Sequence, residues 1–307
     1  MSTEITLEAR KTRRRSSRRG GGPKRVPWLL AAPGVALVIA YFVAVGAGAW
    51  YSFTDWNGVG HARWIGFQNF RQIFSDHATR GALWHTLELA FAFVVLVNAI
   101  GLALALGLNK AVKSRNLLRS LFFAPVVLSP LAVAFVWQYI FDQQGALNWF
   151  LRTIGEPGWQ RPWLGSPTWA LWTILVVMVW QFSGLTMVLY LAGLQGVPDE
   201  LLEAAAVDGA TTGRRFWRVT LPLLAPAVTV AATLTLIIGL RVFDQVLALT
   251  AGGPVDASET LGTQVYKQTF VLGHYGYGAA LALVLTSLVA VMAVAQTVIL
   301  RRREAVI

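Results

Sequence analysis

The sequence predicts an all-α membrane protein of six transmembrane helices with both termini on the same, positively charged side. Three observations predict it. Of the 307 residues 55% are hydrophobic and only 13% charged, with mean hydropathy +0.55, where a soluble domain carries about 25% charged residues. Six apolar runs, at roughly 27–50, 82–108, 118–141, 168–194, 221–250 and 277–300, are each long enough to cross the roughly 30 Å of hydrocarbon as a helix. They are too long and too continuously apolar for the alternating strands of a barrel, and lipid admits no other backbone arrangement.

The third observation is charge asymmetry, which orients such a bundle. With the N-terminus inside, Lys and Arg number nine in the tail, four between spans two and three (Lys110, Lys113, Arg115, Arg119), three between spans four and five (Arg214, Arg215, Arg218) and three at the C-terminal end (Arg301, Arg302, Arg303), against six in the outer loops. Residues 1–25 read as a disordered, basic, cytoplasm-retained tail that orients the first helix, and 26–307 as the transmembrane domain. The first apolar run is far longer than the 7–15 residues of a signal-peptide core, so it reads as a retained anchor. The basic tail admits a nucleic-acid reading; a topogenic tail facing membrane lipid is the stronger one, with no nucleic-acid partner.

Several classes are excluded. Without cysteine there are no disulfides, thiolates or Cys-ligated metals. His61, His77, His85 and His274 are scattered with no second ligand at metal spacing, so no metal is expected. There is no G-x-x-x-x-G-K-[ST] phosphate loop, no nucleophile elbow and no catalytic carboxylate pair. The chain reads as neither an enzyme nor an ATPase, binding no cofactor of its own. No internal repeat is visible, which disfavours the inverted-repeat secondary transporters.

Between spans four and five lies EAAAVDGATTGRRFWRVTLP, residues 203–222. Pro198 suits a first helical position, and Asp199, Glu200 and Glu203 favour a helix N-terminus. Gly209 suits a left-handed helix stop, Thr211 or Thr212 can cap a second short helix, and Pro222 opens the fifth span. The stretch 198–220 is thus expected to be two short helices at the inner membrane face, exposing alanines and a few charges.

Here a resemblance becomes specific. Glu203-Ala204-Ala205, three residues, Gly209, nine residues, Val219, one residue, Leu221-Pro222 resembles the EAA loop of ATP-binding-cassette importer permeases; only Val219 departs from the commoner Ile. The run from Phe243-Asp244 through LALTAGGPVDASETL, together with GFQNF (66–70), GALNWFL (145–151) and GYGAALALVL (276–285), is similar to sugar-importer permeases of the maltose and glycerol-phosphate type, and most like the first of two paired permeases. The resemblance implies the type I importer-permease fold with a cytoplasmic coupling helix between helices 4 and 5. It implies Glu203, Ala204, Ala205, Asp208 and Gly209 as the residues that couple to a partner ATPase. It also implies a second homologous permease, ATPase subunits that consume the ATP, and an extracytoplasmic solute-binding protein. The transported solute would be a di- or oligosaccharide, with glycerol phosphate or a polyol as alternatives.

Intramembrane polar residues are the candidate substrate path. Glu88 and Asp244 are each placed roughly 9 Å inside the outer end of a span. Arg241 and Asp244, three apart, are expected on one helix face. These three charges read either as a self-neutralising cluster or as the wall of a sugar vestibule. Gln181, Ser183 and Thr186 offer neutral partners for hydroxyls or interhelical hydrogen bonds, and Trp180 beside Gln181 an aromatic face. Thirteen tryptophans and the aromatic outer loops fit an interfacial belt, with a Trp-lined sugar path as the alternative. The rival from another class is ion-coupled transport through Glu88 and Asp244.

Overall fold

The computed structural model describes residues 28–109 and 114–304; the basic tail and Lys110 and Lys113 lie outside the described residues. Among the described residues the regular elements are helices joined by loops, with one isolated antiparallel bridge between Thr54 and Trp64. It divides into a unit over residues 1–46 and a unit over 47–307. Helix α1 (Trp28–Tyr51) supplies the described part of the first and is apolar on every side.

In the second unit, α2 (Gln68–Ser75) precedes α3 (His77–Leu108), whose first turn is capped by Asp76. The Asp76 carboxylate accepts from the Thr79 hydroxyl at 2.7 Å and its N–H at 2.8 Å. These bonds favour the charged form and hold the carboxyl below its ordinary range. The third apolar run is not one helix. It breaks between α4 (Arg115–Val127) and α5 (Pro130–Phe141), with α6 (Ala146–Thr153) following, and the two arms are bent by 99°. Ser129 precedes Pro130 and is driven out of the helical region by the proline ring. α7 (Ala170–Leu194) crosses unbroken.

α8 (Asp199–Val207) and α9 (Thr212–Arg215) lead through a π-helical turn at 216–220 into α10 (Leu221–Leu223) and α11 (Ala225–Leu240). Pro226 cannot donate back to Pro222, and α9–α10 meets α11 at 69°. The fifth apolar run breaks again at 241–243 before α12 (Asp244–Thr250). α13 (Leu261–Tyr266) continues through a π-helical turn at 267–271, and α14 (Tyr275–Glu304) closes the described chain. Among the described residues four helices are long and apolar enough to span, or up to six if each bent pair counts as one.

α7 is the centre of the bundle, with α3, α4 and α11 laid against it. One core cluster joins Phe93 and Val97 of α3, Val133 of α5, Ile174 and Met178 of α7 and Val246 of α12. A second joins Ala105, Met187, Tyr190 and Leu224. Small residues let backbones approach: a Cβ at Gly184 of α7 would meet the Phe122 carbonyl oxygen and, at 2.8 Å, the Phe123 Cα. A polar node ties three helices together. Asn98 of α3 donates to the Thr235 hydroxyl at 2.9 Å, and the Tyr190 hydroxyl donates to the Asn98 carbonyl oxygen at 2.8 Å.

Candidate functional sites

The stretch 198–220 folds as two short helices. Pro198 stands at the N-cap of α8, one position before its expected place, with Asp199 and Glu200 in the first turn. The helix stops at Asp208 in a Schellman arrangement. The Gly209 N–H donates to the Ala206 carbonyl at 3.1 Å and the Ala210 N–H to the Ala205 carbonyl at 3.0 Å, with Gly209 at φ +75°. Of the two candidate caps it is Thr211 that serves α9, its hydroxyl accepting from the Arg214 N–H. None of α8's side chains is buried; Glu203, Ala204, Asp208 and Gly209 are exposed, Ala205 is half-buried, and Val207 is 88% exposed. A nine-residue helix is marginal alone in water. Here its C-terminal end is fixed by the Schellman stop and it packs on α9 and the π-helical turn at 216–220, leaving a small-residue surface exposed.

The intramembrane charges are arranged differently from expectation. Arg241 is the C-cap that follows the last residue of α11 and Asp244 is the first residue of α12, with Phe243 between them at φ −141°, ψ −58°. They do not share a helix face, because the helix ends between them. Among the described residues the ion pairs are Arg63–Asp55, Lys267–Asp256 and Lys267–Glu259, so Glu88, Arg241 and Asp244 do not form a self-neutralising cluster. Arg241 and Asp244 are exposed and Glu88 half-buried. α3 begins at His77, five residues before the expected span, which sets Glu88 about 16 Å from the helix start.

Gln181 is 1% exposed and bridges both broken runs. Its amide donates to the Leu128 carbonyl at 3.1 Å, satisfying an acceptor freed by the α4–α5 break, and its carbonyl oxygen accepts from Gln245 of α12 at 3.2 Å. Thr186 donates across to the Val97 carbonyl of α3 at 2.9 Å. Both make the interhelical contacts that stood beside the sugar reading. Gln181→Leu is expected to orphan the Leu128 carbonyl and the Gln245 amide at about 1–3 kcal/mol each. The check is a lowered thermal-unfolding midpoint, with Gln181→Glu at low pH partly restoring it.

Trp180 lies elsewhere, 42% exposed and edge-on to Trp137 at 5.3 Å. It lines an open groove of about 1040 Å³ between α3, α4 and α7, walled by Leu96, Ile100, Leu121, Pro125 and Val179. The lining is almost wholly apolar and offers a saccharide few hydroxyl partners.

At the end of the unit opposite α8, the segment 251–260 folds back on itself. Ala251, Val255 and Asp256 take positive φ. Thr260 donates to the Val242 carbonyl at 3.4 Å, fastening this segment to the α11–α12 break. Glu259 is 2% exposed beneath it, 3.7 Å from Lys267. Burial pushes the Glu259 carboxyl up, opposed by hydrogen bonding from Thr263 and by Lys267. Burial alone would lower Lys267, but its hydrogen bond to Asp256 at 3.1 Å and the Glu259 charge outweigh that and raise it.

A run of ring contacts leads away from the same break. Phe243 meets Tyr266 at 5.6 Å, Tyr266 meets Phe270 at 5.8 Å, and Phe270 meets Tyr275 at 6.5 Å. Tyr275 then meets Trp56 at 5.5 Å, and Trp56 stacks on Tyr51 at 4.5 Å. Nothing in the sequence marks these rings as a set. Tyr51–Trp56, Tyr266–Phe270 and Phe270–Tyr275 are four or five residues apart, but Phe243–Tyr266 spans 23 residues and Trp56–Tyr275 spans 219, so no local pattern links the set.

Comparison with known proteins gives a consistent result. The family model for the binding-protein-dependent transport system inner membrane component matches residues 97–305. The chain is 33% identical over 281 residues to the probable starch degradation products transport system permease protein AmyD of Thermoanaerobacterium thermosulfurigenes, covering 90% of this chain and 94% of that one. It is 33% identical to the multiple sugar-binding transport system permease protein MsmF of Streptococcus mutans (90% and 94% covered). It is 32% identical to the trehalose/maltose transport system permease protein MalF of Thermococcus litoralis (84% and 88%). In structure it is similar to a chain of a bacterial ABC transporter involved in the import of the acidic polysaccharide alginate, with TM-score 0.77 and 23% identity over 90% of this chain and 96% of that one. That likeness establishes the type I importer-permease fold.

Proposed function

The chain belongs to the binding-protein-dependent transport system inner membrane component family, and from that premise we propose that it is a multi-pass permease subunit of an ATP-driven importer of di- or oligosaccharides. The names of the starch-product, multiple-sugar and trehalose/maltose relatives support the solute class. In this reading each bent pair crosses once, giving six spans in a bacterial plasma membrane with both termini cytoplasmic.

The single observation that carries the coupling half of the reading is α8. It is a capped helix with no buried side chain, at the loop that carries Arg214, Arg215 and Arg218 on the positive-inside face. Glu203, Ala204, Ala205, Asp208 and Gly209 are the residues that would seat in a cleft of a cytoplasmic ATPase subunit. A second, homologous permease completes the pore, and an extracytoplasmic binding protein delivers the solute at the opposite end. ATP binding by the partner ATPases draws the coupling helices together and shifts the pore between inward- and outward-facing states.

At the pore, exposed Arg241 and Asp244 at a break in an apolar run are costly against lipid, so a water-filled path is the surface that suits them. Glu88 joins that wall. Gln181 acts behind it as a positioning residue, and Trp180 belongs to the apolar groove.

The test separates this reading from ion-coupled transport. With the assembled complex and loaded binding protein in proteoliposomes, saccharide uptake is expected to require ATP, stop with vanadate and persist with a protonophore. Uptake that collapses with the protonophore and proceeds without any ATPase would assign the transport to Glu88 and Asp244.

A further inference from the structure

We propose that the rings of Phe243, Tyr266, Phe270, Tyr275, Trp56 and Tyr51 form a track on which the pyranose rings of an incoming saccharide stack on their way to the break at 241–243. The inference rests on the saccharide-importer reading and adds to it a route and the residues that make it.

Four observations carry it. The contacts are consecutive, each ring 4.5–6.5 Å from the next, without a gap. The track has a direction: Tyr275 and Tyr51 are terminal residues of α14 and α1, whereas Phe243 lies in the break. An interfacial belt instead sets its rings at one depth around the perimeter. Part of the track is open, with Tyr266 37% and Phe270 68% exposed. Hydrogen-bonding groups flank it: His274 meets the Gln268 amide oxygen at 3.0 Å, and Gln268 donates to Gln264 at 3.4 Å.

This pairing of surfaces fits a pyranose. One face of the sugar ring is apolar C–H and its rim is hydroxyl, so it stacks on an aromatic ring while its edge bonds to amides, imidazole or phenol. The inner end then delivers the sugar beside exposed Arg241 and Asp244.

The test uses the full complex with its ATPases and binding protein, and a panel of labelled α- and β-linked saccharides from disaccharide to hexasaccharide. Tyr266→Leu and Phe270→Leu keep apolar volume and remove the ring. Each is expected to lower uptake at saturating loaded binding protein about two- to tenfold, the equivalent of one lost aromatic contact, and more for longer chains. Tyr266→Phe and Phe270→Tyr are expected to restore it. Because the chain has no cysteine, Phe270→Cys gives a second readout: labelling by an impermeant maleimide should slow while saccharide is in transit. Wild-type transport with unchanged Leu variants, or equal loss in the aromatic-retaining variants, overturns the track and leaves the importer reading standing. A wild-type complex that transports no saccharide in the panel overturns both.

Discussion

Gly209→Pro is expected to abolish ATP-dependent uptake while the chain still inserts and folds. Gly209 sits at φ +75°, and proline is locked near −65°. The substitution also deletes the N–H that donates to the Ala206 carbonyl, so both halves of the Schellman stop are lost. α8 would then end differently and present Glu203, Ala204 and Ala205 at another angle. A Cβ at Gly209 meets nothing within 4 Å, so the cost is conformational and confined to the loop. Gly209→Asn, which tolerates the left-handed region, should keep most of the activity. The measurement is uptake in proteoliposomes for the three forms at equal incorporation.

Gly184→Ala is expected to be the most destabilising single-methyl change in the bundle. The added carbon falls on the backbone of α4 at Phe122 and Phe123, not on a flexible side-chain end, so the helices themselves must part. Overpacking of this kind costs about 1–3 kcal/mol, and the upper end applies where backbone is the neighbour. Opening α4 from α7 also strains the nearby Gln181–Leu128 bond at the α4–α5 break. The unfolding midpoint in detergent should fall by several degrees, with reduced assembly. Gly107→Ala is the control, since nothing lies within 4 Å of its Cβ, and helix propensity alone should leave the midpoint unchanged or raised.

What the sequence made legible follows from where its signals are local. Apolar runs, charge asymmetry and the Pro198–Pro222 grammar concern neighbours a few residues apart, and the helical turn at Gly209 takes the shape those residues favour. The α4–α5 break also had a local sign, Pro130, but a continuously apolar run hides a break when a distant side chain satisfies the freed carbonyl. Gln181 does so from 53 residues away. The break at 241–243 has no proline at all. It is held by Thr260, eighteen residues on, so three-residue spacing wrongly set Arg241 and Asp244 on one face. The aromatic track lay beyond reach for the same reason, because Trp56 and Tyr275 meet only once the ends of α1 and α14 are brought together.

The most direct measurement of the central claim is mild-detergent purification of the tagged native chain beside Gly209→Pro, with mass spectrometry of what accompanies each. The account predicts that an ATPase and a second permease accompany the native chain, and that the ATPase alone is lost from the variant. A native chain that purifies by itself, or a variant that keeps the same partners, would contradict it.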